Sequence, residues 1–81
     1  MERVYILCYD ESVLSVFGSL RSARDEAVAR AKRLGHTIGD VPAWGMSVRA
    51  DSSGWDHLLD TNGKSLPWNV AQYEVVRTPR I

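Results

Sequence analysis

One segment of this chain carries its own start, stripe and stop: a helix between Ser19 and Gly35, flanked on both sides by apolar, strand-like runs. Ser19 and Ser22 can each act as N-cap, and Ser22 with Asp25 matches the S-x-x-D form of a capping box. Leu20, Ala23, Ala27, Ala31 and Leu34 recur at three- and four-residue spacing, and Gly35 stands where a left-handed residue closes a helix. Three alanines in a narrow stripe imply that the helix backbone comes close to whatever lies beneath it. A β-sheet meets that need.

The flanking runs read as strands. Residues 3 to 9 are β-branched or aromatic on both alternating faces, with Val4, Ile6 and Cys8 on one and Tyr5, Leu7 and Tyr9 on the other. Asp10-Glu11-Ser12 then predicts a turn into a second strand from Val13 to Phe17, so the chain opens with a hairpin. After the helix, residues 36 to 42 are loop-like, and Trp44, Met46 and Val48 alternate with Gly45, Ser47 and Arg49, the pattern of a strand with one buried face. A turn at Asp51 to Gly54 leads to a strand from Trp55 to Asp60. Asn62-Gly63 predicts a tight type I′ turn that returns Lys64 to Trp68, with Pro67 confining that return strand to an edge. Tyr73 to Arg77 closes the chain.

The order is thus β-β-α-β-β-(β)-β. It predicts an α+β fold, with a single, mostly antiparallel sheet of four to six strands and one helix packed across one face. Eighty-one residues without an internal repeat or linker fit one domain, 1–81, with a thin core. The single cysteine, Cys8, cannot form an internal disulfide, so the domain is not of the disulfide-stapled secreted type. No basic stretch followed by a long apolar one opens the chain, and no apolar run approaches the length of a membrane span. The expectation is a cytoplasmic protein.

Charge excludes some functions and leaves others open. Ten basic and ten acidic side chains give zero net charge, without the excess that usually accompanies phosphate-backbone binding. The zero hides an uneven layout. Residues 20 to 34 carry Arg21, Arg24, Arg30, Lys32 and Arg33 against Asp25 and Glu26, whereas residues 40 to 60 carry Asp40, Asp51, Asp56 and Asp60 against Arg49. Two oppositely charged regions could steer a partner; equally, they could be a solvated helix face with local pairs such as Glu26 to Arg30.

No glycine-rich phosphate loop, nucleophile elbow, paired cysteines or HExxH motif occurs, and no cofactor or metal is expected. His36 follows the helix-ending glycine, a structural position. His57 lies between Asp56 and Asp60, but on a strand its side chain points away from both. No enzymatic activity is expected; the alternative, an enzyme of unrecognised type, would need a pocket where His36 or His57 meets a carboxylate or Cys8.

The informative surfaces are apolar and aromatic. A helix covers one face of a sheet and leaves the other open. If Val4, Ile6 and Cys8 point beneath the helix, then Tyr5, Leu7 and Tyr9 form an outward row that calls for a partner. The alternative is that residues 51 to 70, with Trp55 and Trp68, fold over that face as a minor second core. Three tryptophans are many for this length, and Trp is enriched at binding hot spots. The candidate partner-binding set is Tyr5, Tyr9, Trp55, Asp56, Asp60 and Trp68. A second candidate surface, for nucleic acid, is the basic set Arg21, Arg24, Arg30, Lys32 and Arg33.

The sequence of runs Val4-Tyr5-Ile6-Leu7, Val16-Phe17-Gly18-Ser19, an alanine-bearing helix, a tryptophan-bearing hairpin and Tyr73-Glu74-Val75-Val76 resembles small phage and bacterial proteins of strand-strand-helix-strands plan. Some of these are anti-CRISPR proteins. The resemblance implies a non-catalytic inhibitor, phage-encoded, that binds a larger protein or ribonucleoprotein complex of host defence. It implies no particular contact residue. A homodimer through the open sheet face or a free edge is the competing use of the same surfaces.

Overall fold

A computed structural model describes residues 2–10, 12–48 and 54–75. It contains one five-stranded antiparallel sheet and one helix: β1 (Glu2–Tyr9), β2 (Ser12–Phe17), α1 (Leu20–Arg33), β3 (Ala43–Val48), β4 (Gly54–Leu59) and β5 (Ser65–Val75). Strand order is β2-β1-β5-β4-β3, so the connection through α1 joins the two edges of the sheet. The α+β class, the antiparallel sheet and the single helix are as the sequence predicts.

The helix forms where its capping chemistry places it. Of the two candidate N-caps it uses Ser19, whose side chain accepts a hydrogen bond from the Ser22 backbone N–H at 3.2 Å. Its C-terminus is a Schellman motif: Gly35 N–H donates to Lys32 O, His36 N–H donates to Ala31 O, and Gly35 takes φ 85°. Ala23, Ala27 and Ala31 are fully buried, and the side chains that meet them come from the sheet: Leu7, Leu58, Leu66, Trp68 and Val70. Small residues on the helix thus match large ones on the strands. Leu34, read as the end of the stripe, is exposed, because the helix has already closed at that point.

β5 is the main departure from expectation. The segments 64–68 and 73–77 do not form two strands. Residues Ser65–Val75 form one eleven-residue strand at the centre of the sheet, between β1 and β4, and residues 76 and 77 lie outside the described residues. Pro67 is tolerated in this central strand because the ladders give way beside it. Pairing with β1 ends at Tyr9 and Trp68, and the register with β4 shifts between His57 and Leu59. The Asp10 N–H still reaches Pro67 O, at 2.7 Å. The missing proline N–H therefore costs no ladder bond.

The turn before β5 is also not type I′, which needs positive φ at both central residues. Only Gly63 has it, at 78°. Gly63 N–H donates to Asp60 O and Asp60 N–H to Lys64 O, which makes a three-residue loop with a left-handed glycine. The predicted turn at 51–54 lies outside the described residues except for Gly54.

Candidate functional site

Register decides which side of the sheet is open. Tyr5 pairs with Phe17 and Gln72, and Leu7 with Ser15 and Val70; Val70 in turn faces Asp56 and Asp56 faces Met46. Leu7, Val70 and Asp56 in this row are buried under the helix. Tyr5, Leu7 and Tyr9 therefore face α1, and Val4, Ile6 and Cys8 face outward, the reverse of the arrangement considered from sequence. Residues 54 to 70 do not fold over the open face either, since they are β4, its turn and the start of β5 in the same sheet; residues 51 to 53 lie outside the described residues.

Two complete cross-strand rows lie on the open face. The first runs Val16, Ile6, Ala71, Trp55, Ser47; the second runs Val13, Cys8, Asn69, His57, Gly45. Val4 and Tyr73 add a third pair. None of these residues is charged, whereas an ordinary soluble surface is about 25–35% charged. Val13 and Val16 are the most open to solvent, Val16 at 60%. Ile6, Trp55 and Ala71 are half-buried among their neighbours. The face is thus apolar, interrupted by Ser47, Asn69 and His57.

Of the polar side chains that interrupt this face, Ser47 and His57 meet each other, while Asn69 Nδ2 donates to Pro67 O. Ser47 Oγ lies 3.2 Å from His57 Nε2, and the His57 ring stands edge-on to Trp55, with centroids 6.3 Å apart. A Cβ on Gly45 would come within 2.8 Å of the His57 ring, so glycine is what lets the imidazole lie flat over β3. Among the described residues the neighbouring carboxylates, Asp56 and Asp60, are engaged elsewhere. Asp56 points under the helix, and Asp60 accepts the backbone N–H groups of Asn62 and Lys64 in the turn. Cys8 is half-buried here, and burial raises its thiol pKa, which lowers its reactivity. Among the described residues no group of three or more His, Cys, Asp or Glu side chains could hold a metal ion.

The candidate residues named from sequence are scattered. Trp55 is on the open face. Trp68, 1% exposed, is core rather than an exposed anchor, since central β5 carries it beneath the helix. Tyr9 is exposed and packs edge-on against Trp68 at 4.9 Å, and His36 does the same from the other side at 5.1 Å. Tyr5 is half-buried against the core. Asp56 is buried and receives both Nε and Nη2 of Arg24, so it is a structural ion-pair partner and not a rim charge. Asp60 is a turn residue.

The basic set is divided as well. Arg24 turns inward to Asp56 and over the Trp44 ring at 5.1 Å, Arg30 pairs with Glu26 at 2.9 Å, and Arg33 approaches the same carboxylate at 3.7 Å. Arg21 and Lys32 are exposed. Tyr9, Trp68, Arg30 and Arg33 do meet, with Leu14 and Leu34, around a groove of about 370 Å³ beside the end of the helix.

Sequence reasoning missed Val13, Val16, Ile6 and Ala71. The available signal was the apolar alternation of β1, which is equally strong on both faces. No known protein family, curated protein or solved structure matches the chain. Among the described residues no helix is long and apolar enough to cross a membrane.

Proposed function

We propose that this protein is a non-catalytic protein-interaction module that works by laying its open sheet face against a larger protein or ribonucleoprotein assembly. The observation that carries this reading is the pair of uncharged rows from Val16 to Ser47 and from Val13 to Gly45. Depletion of charge with retention of aromatic and aliphatic residues is the composition of an interface centre. A face of this kind left in water invites non-specific association. The specific form of the proposal is an anti-CRISPR-like inhibitor, which follows from the resemblance in strand-strand-helix-strands plan. Direct nucleic-acid binding has less to support it, because Arg24, Arg30 and Arg33 are already engaged with Asp56 and Glu26.

The test is stoichiometric capture of a partner by the purified chain, with Val16→Asp on the open face and Arg21→Ala on the helix as paired variants. The reading expects capture to be lost in the first and kept in the second. Capture that survives Val16→Asp and fails with Arg21→Ala would move the working surface to the helix. For the specific form, the chain is titrated into purified RNA-guided nuclease complexes, where it should inhibit cleavage.

A further inference from the structure

The two edges of the sheet are built differently, and the difference points to a use for one of them. An edge strand presents unpaired N–H and C=O groups, and proteins usually blunt it with a bulge, an internal proline or charged side chains. β2 has a bulge: its register with β1 shifts opposite Leu7 and Cys8, leaving Leu14 as the extra residue. β3 has none of these devices. Its pairing with β4 is regular from Ala43 to Val48, and its sequence, Ala-Trp-Gly-Met-Ser-Val, contains neither charge nor proline.

The side chains of β3 on the helix side of the sheet are large and apolar. Trp44 and Met46 lie on the helix side of the sheet, opposite Leu58 and Asp56. Met46 is 73% exposed, a large apolar side chain standing clear of α1. Its neighbour on the same face, Trp44, lines a cavity of about 450 Å³ with Leu20, Val28 and Pro42 and with the charged side chains Arg21, Arg24 and Asp25. Among the described residues no strand pairs with this edge, which carries an exposed apolar side chain and, next to it, a residue that lines a cavity.

We propose that β3 pairs antiparallel with β3 of a second copy, about a two-fold axis normal to the sheet at Gly45. This register sets Ala43 opposite Ser47 and Trp44 opposite Met46 of the other copy, and makes the contact twice. Directly opposed residues in an antiparallel pair have Cβ atoms about 5 Å apart, so each Met46 reaches the cavity beside the other copy's Trp44. Both helices then lie on one side of a ten-stranded sheet. Charge favours a second copy over a charged foreign strand. Residues 41 to 48 carry no ionisable side chain to select an oppositely charged partner, and the chain's net charge of zero does not oppose self-association. The pairing is separate from the open-face reading and does not depend on it.

Sedimentation equilibrium of the wild-type chain, at concentrations up to about 1 mM, tests the pairing. The expected result is a monomer–dimer equilibrium that Met46→Lys weakens roughly tenfold or more, since at both symmetric contacts the apolar contact with Leu20 and Val28 is lost and an ammonium is taken out of water beside a lining of net positive charge, Arg21 and Arg24 against Asp25. At concentrations low enough for both chains to be monomeric, circular dichroism and the urea midpoint of that variant should match wild type, because the side chain is already exposed. Val16→Lys, on the opposite edge, should dimerise as wild type does. A wild-type chain that stays monomeric overturns the proposal. So does a Met46→Lys dimer of undiminished affinity, or a dimer lost in Val16→Lys and kept in Met46→Lys.

Discussion

Replacing Arg24 by alanine should destabilise this protein more than replacing its partner, Asp56, although both remove the same ion pair. The asymmetry follows from exposure. Asp56 is 3% exposed, whereas the Arg24 side chain is 31% exposed. Arg24→Ala leaves a carboxylate under the helix without its cation, and removing one partner of a fully buried pair costs about 3–5 kcal/mol. Water reaches the guanidinium, so the loss here falls lower, at about 2–3 kcal/mol, including the stacking on Trp44. Asp56→Ala instead releases an arginine that can swing into solvent, at about 1 kcal/mol.

A domain of this length holds roughly 4–12 kcal/mol in total. Arg24→Ala should therefore lower Tm by about 10–20 °C. Urea unfolding of both single variants and the double variant measures the terms. Adding Asp56→Ala to Arg24→Ala should recover stability, because the stranded charge is gone. An Arg24→Ala variant within about 0.5 kcal/mol of wild type, or an Asp56→Ala variant that is the weaker of the two, would refute the reasoning.

Three further outcomes can be checked on the same chain. Ala27→Leu puts a larger side chain into the fully buried helix–sheet contact and should cost about 1–3 kcal/mol in a urea titration. Gly35→Ala, at φ 85°, should destabilise by about 1 kcal/mol, whereas Gly18→Ala, with no atom within 4 Å of the new methyl and no positive φ, should leave the thermal midpoint unchanged or slightly raised. Burial raises the Cys8 pKa, so the folded state favours the neutral thiol, and its contribution is complete below the ordinary thiol range of about 8.5 and lost as pH rises through the higher folded value. The urea midpoint of wild type should accordingly fall more than that of Cys8→Ala above that pH, and alkylation of Cys8 should be slower than in the unfolded chain.

What was legible in the sequence was what local chemistry decides. Ser19, the alanine spacing and Gly35 fix the helix because caps and stripes act within one or two turns. The faces of β1 were not legible, since Val4, Ile6 and Cys8 are as apolar as Tyr5, Leu7 and Tyr9. The choice is made by volume: three alanines on the helix leave space that Leu7 and the aromatic rings fill and that Cys8 would not. Pro67 misled for a related reason. It excludes a central strand only where a ladder bond is due, and here both ladders lapse beside it. Met46 alternates with polar residues as a buried residue would, yet β3 is an edge that extends past the helix, so the pattern outruns the cover. Asp56 was read as a surface charge because nothing in its neighbourhood announces an arginine 32 residues earlier in the chain.

The open face and the β3 edge have a geometric consequence when taken together. A two-fold axis normal to the sheet keeps both helices on one side and therefore places both uncharged faces on the other. Gly45, at the end of the row from Val13, meets Gly45 of the other copy in this register, so that row of one copy runs on into the same row of the next across β3. The most exposed members of the face, Val13 and Val16, then stand at the two far ends of a surface ten strands wide. Such a surface suits a partner that is itself long or two-fold symmetric, because engagement of one half raises the effective concentration of the other without any new contact. In that arrangement the helix contributes its rigidity and the Arg24 that pairs with buried Asp56, and stands away from the partner altogether.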